Sequence, residues 1–124
     1  MKRILIIDDD EQICAMLRQM LSKAGYLVDD APNGDVGVRL YRANPYDLII
    51  TDIFMPEREG LETIRELRSD FPDARIIAMS GGGNSGELSY LSLARSFGAL
   101  QSIVKPFNRR ELLESVEKAL GSGD

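Results

Sequence analysis

The chain has 124 residues, of which 44% are hydrophobic and 28% charged, a composition that suits one globular domain and excludes a disordered or fibrous chain. Its 15 Lys and Arg against 20 Asp and Glu leave a formal net charge of −5 at pH 7, which disfavours direct binding to nucleic acid or to an anionic membrane. Cys14 is the only cysteine and there is no histidine, so an intramolecular disulfide, a Cys/His metal site and Ser-His-Asp or Cys-His catalysis are excluded.

Five short apolar runs predict strands at residues 3–7, 26–30, 47–51, 75–79 and 101–104. Residues 4–7 and 48–50 are continuously apolar, as in strands that are covered on both faces. The first run is too short for a signal peptide, and no run approaches the roughly 20 residues of a membrane span. The sequence therefore predicts a cytoplasmic protein.

Apolar residues at helical spacing between these runs predict five helices. The first is capped by Asp10 and stops at Gly25. The second is capped by Asn33, although Gly37 lowers its helix propensity. The third ends before Pro72, because the residue before a proline disfavours the helical conformation.

The fourth helix has the least distinct sequence signal, and the fifth has the most distinct one. The fourth contains apolar residues up to Ala94 and closes at Gly98. In the fifth, Asn108 and Glu111 resemble a capping box, and Gly121 ends the helix. The arginines on the predicted helix surfaces are interpreted as lying on solvated faces: Arg65, Arg68, Arg109 and Arg110.

Strands and helices thus alternate along the whole chain in units of roughly 25 residues, which indicates an α/β fold. Such alternation predicts a parallel sheet with helices on both faces, connected by right-handed crossovers. Residues 1–120 are expected to form one domain, and residues 121–124 a flexible tail.

Polar side chains follow four of the predicted strands. The acidic run Asp8-Asp9-Asp10 follows the first, Asp52 the third, Ser80 the fourth and Lys105 the fifth. Because the carboxyl ends of parallel strands share one edge of a sheet, these side chains should meet in one pocket. Crowded carboxylates repel one another unless a cation neutralises them. Oxygen ligands select Mg²⁺ or Ca²⁺, and an open site with water ligands suits Mg²⁺.

This combination predicts phosphoryl chemistry. A carboxylate beside a divalent cation and the Lys105 ammonium can attack phosphorus and form an acyl phosphate. The cation and Lys105 would offset charge on the phosphoryl oxygens, and Ser80 would donate a hydrogen bond to one of them. No general base is needed, so the missing histidine is consistent with a histidine on the phosphodonor.

Three motifs resemble the receiver domain of a two-component response regulator, of the stand-alone type. They are the acidic pair Asp8-Asp9 after strand one, Asp52 in the turn after strand three, and Lys105-Pro106 after strand five. The resemblance covers essentially the whole chain. It implies a flavodoxin-like fold, a doubly wound five-stranded parallel sheet with strand order 2-1-3-4-5 and five helices.

The resemblance also implies a phosphorylation-dependent signalling switch. Asp52 would accept a phosphoryl group from a phosphohistidine on a histidine kinase or histidine phosphotransfer protein. Ser80 would turn towards the phosphate, Lys105 would pair with it, and the Lys105–Pro106 peptide bond would be cis. The output would be the binding of a downstream protein effector, with catalysis limited to the domain's own phosphorylation and dephosphorylation.

The implied metal is Mg²⁺. Asp9, Asp52 and the backbone carbonyl of Phe54 would bind it directly, and Asp8 partly through a metal-bound water.

Two features depart from the family pattern. Ser102 occupies the position three residues before the lysine, where the family usually has an aromatic residue that changes rotamer on activation. The residues after Ser80 are unusually rich in glycine. We therefore expect residues 81–90 to carry the switch instead, and to become ordered on phosphorylation.

Three alternatives are weaker. The chain can be the receiver module of a larger transcription factor or hybrid kinase. An aspartyl-nucleophile phosphatase usually has a second acid two residues after the nucleophile, where this chain has Phe54. A flavin carrier needs a phosphate loop after the first strand, which the sequence lacks.

Overall fold

The computed structural model describes residues 1–53, 60–80, 92 and 94–121. One parallel sheet has the strand order β2-β1-β3-β4-β5, where the strands are β1 (Arg3–Ile7), β2 (Leu27–Ala31), β3 (Leu48–Asp52), β4 (Ile76–Ser80) and β5 (Gln101–Val104). The helices are α1 (Glu11–Lys23), α2 (Gly34–Ala43), α3 (Gly60–Asp70) and the C-terminal helix (Arg109–Leu120). Residues 94–97 are also helical and end the predicted fourth helix, while residues 81–91 and 93 lie outside the described residues. The predicted α/β fold and strand order are confirmed.

Three strands begin and end one residue later than predicted. They cover Leu27–Ala31, Leu48–Asp52 and Ile76–Ser80 instead of residues 26–30, 47–51 and 75–79. Pairing with the neighbouring strand, which hydropathy does not report, sets these ends: Asp52 is in register with Met79, and Ser80 with Val104. Asp52 and Ser80 are therefore the last residues of their strands, and the sheet fixes their backbones.

Both faces of the sheet are covered, as the continuous apolar runs predict. Leu5 and Ile7 of β1 pack with residues of α2 and α3 on one face. Ile4 and Ile6 pack with α1 and the C-terminal helix on the other. Helices on both faces leave the two ends of the sheet for polar residues.

The predicted helix ends are confirmed. The side chain of Asp10 accepts hydrogen bonds at the start of α1, and that of Asn33 accepts one from Val36 N at the start of α2. Asn108 and Glu111 form a reciprocal capping box at the C-terminal helix. Gly98, which closes the predicted fourth helix, has a φ of +128°, a conformation that favours glycine.

The prediction of a solvated face is wrong for Arg68. Its guanidinium donates to the backbone oxygens of Pro72 and Gly98, the latter at 2.8 Å, and so ties α3 to two turns. Arg65, Arg109 and Arg110 are exposed, as predicted. Residues 122–124 of the predicted tail lie outside the described residues. In the described part of the chain, no helix is long and apolar enough to cross a membrane.

Candidate functional site

The carboxyl ends of four strands bring the predicted polar residues to one edge of the sheet. Asp8 follows β1, Asp52 ends β3, Ser80 ends β4 and Lys105 follows β5. Lys105 N–H donates to the backbone oxygen of Ser80 at 2.7 Å, which extends the pairing of β4 and β5 by one residue. The backbone at each of these positions is thus held by the sheet or directly follows it.

Lys105 joins the two buried carboxylates. Its Nζ lies 3.1 Å from Oδ2 of Asp8 and 3.7 Å from Oδ2 of Asp52. Asp8 is 2% exposed and Asp52 6% exposed, whereas Asp9 is exposed. Inside the protein an ion pair is screened less than at the surface, so one ammonium positions both carboxylates.

The acidic group has more negative charge than Lys105 can neutralise. One carboxylate oxygen from each of Asp8, Asp9 and Asp52 lies within 4.8 Å of the others. Three carboxylates and one ammonium leave an excess that a divalent cation would balance, and the oxygen-only donor set is the kind that Mg²⁺ prefers. The residues present therefore fit the implied metal.

The environment of Asp8 opposes its negative charge overall. Burial raises the pKa of the Asp8 carboxyl above its usual value of 3.8. The backbone amide of Asp10 and the ammonium of Lys105 act in the opposite direction and lower this pKa. A further cation beside Asp8 would favour the ionised carboxylate in the same way.

The other predicted features of the site are Ser80, the Lys105–Pro106 peptide bond, the carbonyl of Phe54 and the switch at residues 81–90. Ser80 is fully buried at the end of β4. The Lys105–Pro106 peptide bond is cis, as the resemblance implies. Phe54, whose carbonyl is the predicted fourth metal ligand, lies outside the described residues, and so do residues 81–90 of the predicted switch.

Two contacts to Asp8 were not predicted. The Asp10 N–H donates to Asp8 Oδ1 at 2.9 Å, and Sγ of Cys14 donates to the backbone oxygen of Asp8 at 3.5 Å. The sequence predicts Asp10 as the cap of the first helix and predicts no contact between Cys14 and Asp8. The position of Asp10 two residues after Asp8 was the available signal, because aspartate side chains commonly accept from a backbone N–H two residues on.

The sequence model of the response regulator receiver domain matches residues 4–117. The chain belongs to the response regulator receiver domain family. Such domains act in phosphorylation-dependent signalling: response regulators receive phosphate from histidine kinases and act on downstream effectors. This receiver domain is accordingly a signalling domain and not an enzyme in the usual sense.

Relatives of the receiver domain include both short and long proteins. It is 36% identical over 118 residues to the chemotaxis protein CheY of Thermotoga maritima, covering 94% of this chain and 96% of that protein. It is 38% identical over 119 residues to the DNA-binding transcriptional regulator NtrC of Azospirillum brasilense, covering 96% of this chain but 24% of that regulator. Receiver domains similar to this one thus occur alone and within larger regulators.

Solved structures share the fold. The response regulator TrrA of Thermotoga maritima, in complex with Mg²⁺ and BeF, has 40% identity and a TM-score of 0.85, covering 96% of this chain and 99% of that one. The chemotaxis protein CheY4 of Vibrio cholerae has 27% identity and a TM-score of 0.86, covering 96% of this chain and 98% of that one. These likenesses confirm the flavodoxin-like fold with five strands and five helices.

Proposed function

We propose that Asp52 of this receiver domain accepts a phosphoryl group from a phosphohistidine of a histidine kinase or histidine phosphotransfer protein. The observation that carries the proposal is the position of Lys105 Nζ, 3.7 Å from Asp52 Oδ2 and 3.1 Å from Asp8 Oδ2. A nucleophilic carboxylate needs a neighbouring cation to offset charge on the incoming phosphoryl oxygens, and Lys105 is placed to supply it. We propose residues 1–120 as the domain that carries this function.

The transfer is an in-line displacement at phosphorus. An oxygen of Asp52 forms a bond to phosphorus while the P–N bond of the phosphohistidine breaks, and the electron pair of that bond leaves with the imidazole nitrogen. The ammonium of Lys105 pairs with the negatively charged phosphoryl group on Asp52, and the hydroxyl of Ser80 donates a hydrogen bond to a phosphoryl oxygen. In dephosphorylation water attacks phosphorus and the P–O bond to Asp52 breaks. The electron pair of that bond stays on the Asp52 carboxylate, and the oxygen of the water leaves as part of inorganic phosphate.

Asp8, Asp9, Asp52 and the carbonyl of Phe54 are the proposed holders of Mg²⁺. The metal would supply positive charge for the phosphoryl oxygens and would relieve repulsion among the carboxylates. A cavity of about 390 Å³ beside Asp8 and Asp9 gives solvent access to this side of the site. The domain is proposed to work in the cytoplasm, where its partners are the phosphodonor protein and a protein effector, with no direct contact to nucleic acid or membrane.

Intact-mass spectrometry after incubation with MgCl₂ and acetyl phosphate tests the assignment. Wild type should gain the mass of one phosphoryl group, and Asp52→Asn should gain none. Asp73→Asn is the matched control, because Asp73 is exposed and precedes β4 at the opposite edge of the sheet. EDTA should prevent the gain in wild type. A gain in Asp52→Asn equal to that of wild type would contradict the proposal.

A further inference from the structure

The first turn of α1 is attached to the acidic site through one residue. Oδ1 of Asp10 accepts hydrogen bonds from the backbone N–H groups of Gln12 at 2.9 Å and Ile13 at 3.3 Å. The backbone N–H of the same Asp10 donates to Oδ1 of Asp8 at 2.9 Å. The side chain of Asp10 therefore holds the helix, and its backbone holds the carboxylate of Asp8.

The two oxygens of Asp8 have different partners. Oδ1 accepts from Asp10 N–H, and Oδ2 accepts from Nζ of Lys105 at 3.1 Å. The side chain of Asp8 is fully buried, so water at the surface cannot replace either bond. Rotation of this carboxylate would change the position of Lys105, which Asp8 shares with Asp52.

We propose that Asp10 is a positioning residue for phosphoryl transfer, which acts by capping α1 and thereby fixing the N–H group that orients the Asp8 carboxylate. The inference rests on the phosphoacceptor function proposed above. Asp10 is extended, with φ −92° and ψ 109°, and its cap bonds hold that conformation. Without the cap the first turn can fray, the N–H group can leave Asp8, and a buried carboxylate oxygen loses its donor.

Asp10 does not act as a metal ligand in this proposal. Among the described residues, the carboxylates that can share a metal ion are Asp8, Asp9 and Asp52. Oδ1 of Asp10 is bound to the backbone of α1. Its role is to hold the geometry of Asp8, as residues outside the ligand set commonly do for metal sites.

Substitutions separate capping from charge. Asp10→Asn keeps a good cap without the negative charge, whereas Asp10→Ala removes both. Asn33→Ala is the matched control for the loss of a cap, because Asn33 caps α2 by one bond to Val36 N at 2.9 Å. If Asp10→Ala fails to fold, Asp10→Gly replaces it, because glycine also removes the bonds of Asp10 Oδ1 to the helix but costs the helix less stability. The same losses are then expected of Asp10→Gly.

Three measurements are made below the melting transition of every variant. They are the Mg²⁺ affinity by calorimetry, the initial rate of phosphorylation by acetyl phosphate at saturating Mg²⁺, and amide exchange at Asp10. Asp10→Ala should weaken Mg²⁺ binding and slow phosphorylation, each by about tenfold. Asp10→Asn should retain the wild-type rate within about twofold, because Asn and Asp cap equally well. Amide exchange at Asp10 should be faster in Asp10→Ala than in Asp10→Asn.

Three results would overturn the inference: wild-type behaviour of Asp10→Ala, equal losses in Asp10→Ala and Asp10→Asn, or an equal loss in Asn33→Ala. Equal losses in the two Asp10 variants would mean that the charge matters and not the cap. A wild-type protein that is not phosphorylated contradicts the proposed function instead. In that case the Mg²⁺ affinities and amide exchange still decide whether Asp10 positions Asp8.

Discussion

Gly37 of α2 lies directly against Ile7 of β1. A Cβ atom at position 37 would stand 2.3 Å from Cδ1 and 2.7 Å from Cγ1 of Ile7, closer than packed carbon atoms approach. Ile7 is fully buried and directly precedes Asp8. The glycine that weakens the helix prediction therefore lets α2 pack closely on the strand that presents the acidic pair.

Gly37→Ala should destabilise the domain although alanine is the better helix former. Helix propensity favours alanine by about 1 kcal/mol. Overpacking in a filled core costs about 1–3 kcal/mol, and we expect this cost to dominate. Urea denaturation of Gly37→Ala, Ile7→Ala and the double variant measures the coupling. The clash should be relieved in the Ile7→Ala background, and stabilisation of the wild-type background by Gly37→Ala would show that the close packing is unimportant.

Mg²⁺ should raise the melting temperature of the domain, because a ligand that binds only the native state stabilises it by mass action. At a Mg²⁺ concentration of 100 times Kd, the gain should be about 2.7 kcal/mol. Asp9→Asn should reduce the shift of the melting temperature strongly, since Asp9 is one of the three carboxylates that can share the metal ion. Asp73→Asn is the control and should keep the full shift. A full shift in Asp9→Asn would mean that Mg²⁺ binds elsewhere.

Lys105→Met should raise the pKa of Asp8 further, because the ammonium lowers this pKa in the wild type. Burial already raises the pKa of Asp8 in the folded protein above 3.8. In the absence of metal, Asp8 therefore contributes its full stabilisation below the pKa that it has in the unfolded chain. This stabilisation is lost as the pH rises through the pKa of Asp8 in the folded protein. Lys105→Met should move this loss to higher pH. An NMR titration of the Asp8 carboxyl carbon in EDTA checks the shift directly, and Lys118→Met on the C-terminal helix is the control. An unchanged Asp8 titration would contradict the importance of the 3.1 Å contact.

Cys14 should react slowly with iodoacetamide in the native protein. Burial raises the pKa of its thiol to about 11, with the carboxylates of Asp8, Asp30 and Asp10 adding to the effect. Relative to an unfolded thiol of pKa 9.0, the thiolate fraction at pH 8 is lower by about a hundredfold. Alkylation measured against pH, for native and urea-unfolded protein, tests this. Because the unfolded thiol ionises first, the contribution of Cys14 to stability should be lost as pH rises from 9.0 towards 11. Equal alkylation rates in the two states would be inconsistent with the buried position.

Arg68→Lys should loosen the turn at Gly98. The guanidinium reaches two backbone oxygens with separate nitrogens, a fork that the single ammonium of lysine cannot reproduce. Faster amide exchange at residues 98–100 is expected, together with a loss of about 1 kcal/mol per hydrogen bond. Arg110→Lys is the control, because Arg110 is exposed and pairs along its own helix with Glu114 at 3.1 Å. Unchanged exchange in Arg68→Lys would show that the two bonds do not hold the turn.

Local signals in the sequence determined much of this protein. Continuous apolar runs predicted the buried strands, and the caps at Asp10, Asn33 and Asn108 predicted helix starts, because both depend on neighbours in the chain. The polar residues at the strand ends predicted the edge of the sheet at which the site lies, since parallel strands share one carboxyl end. The family resemblance added the roles of Asp52 and Lys105.

The tertiary structure decided what depends on residues far apart in sequence. Pairing between strands moved the ends of β2, β3 and β4 by one residue and made Asp52 the last residue of β3. Arg68 contacts Gly98 across 30 residues of chain, so the period of its own helix could not report the bond. Asp8 and Lys105 are 97 residues apart, and their 3.1 Å contact exists only because the sheet places β1 and β5 in one layer. The raised pKa of Asp8 is likewise a property of burial, which no spacing of residues along the chain can state.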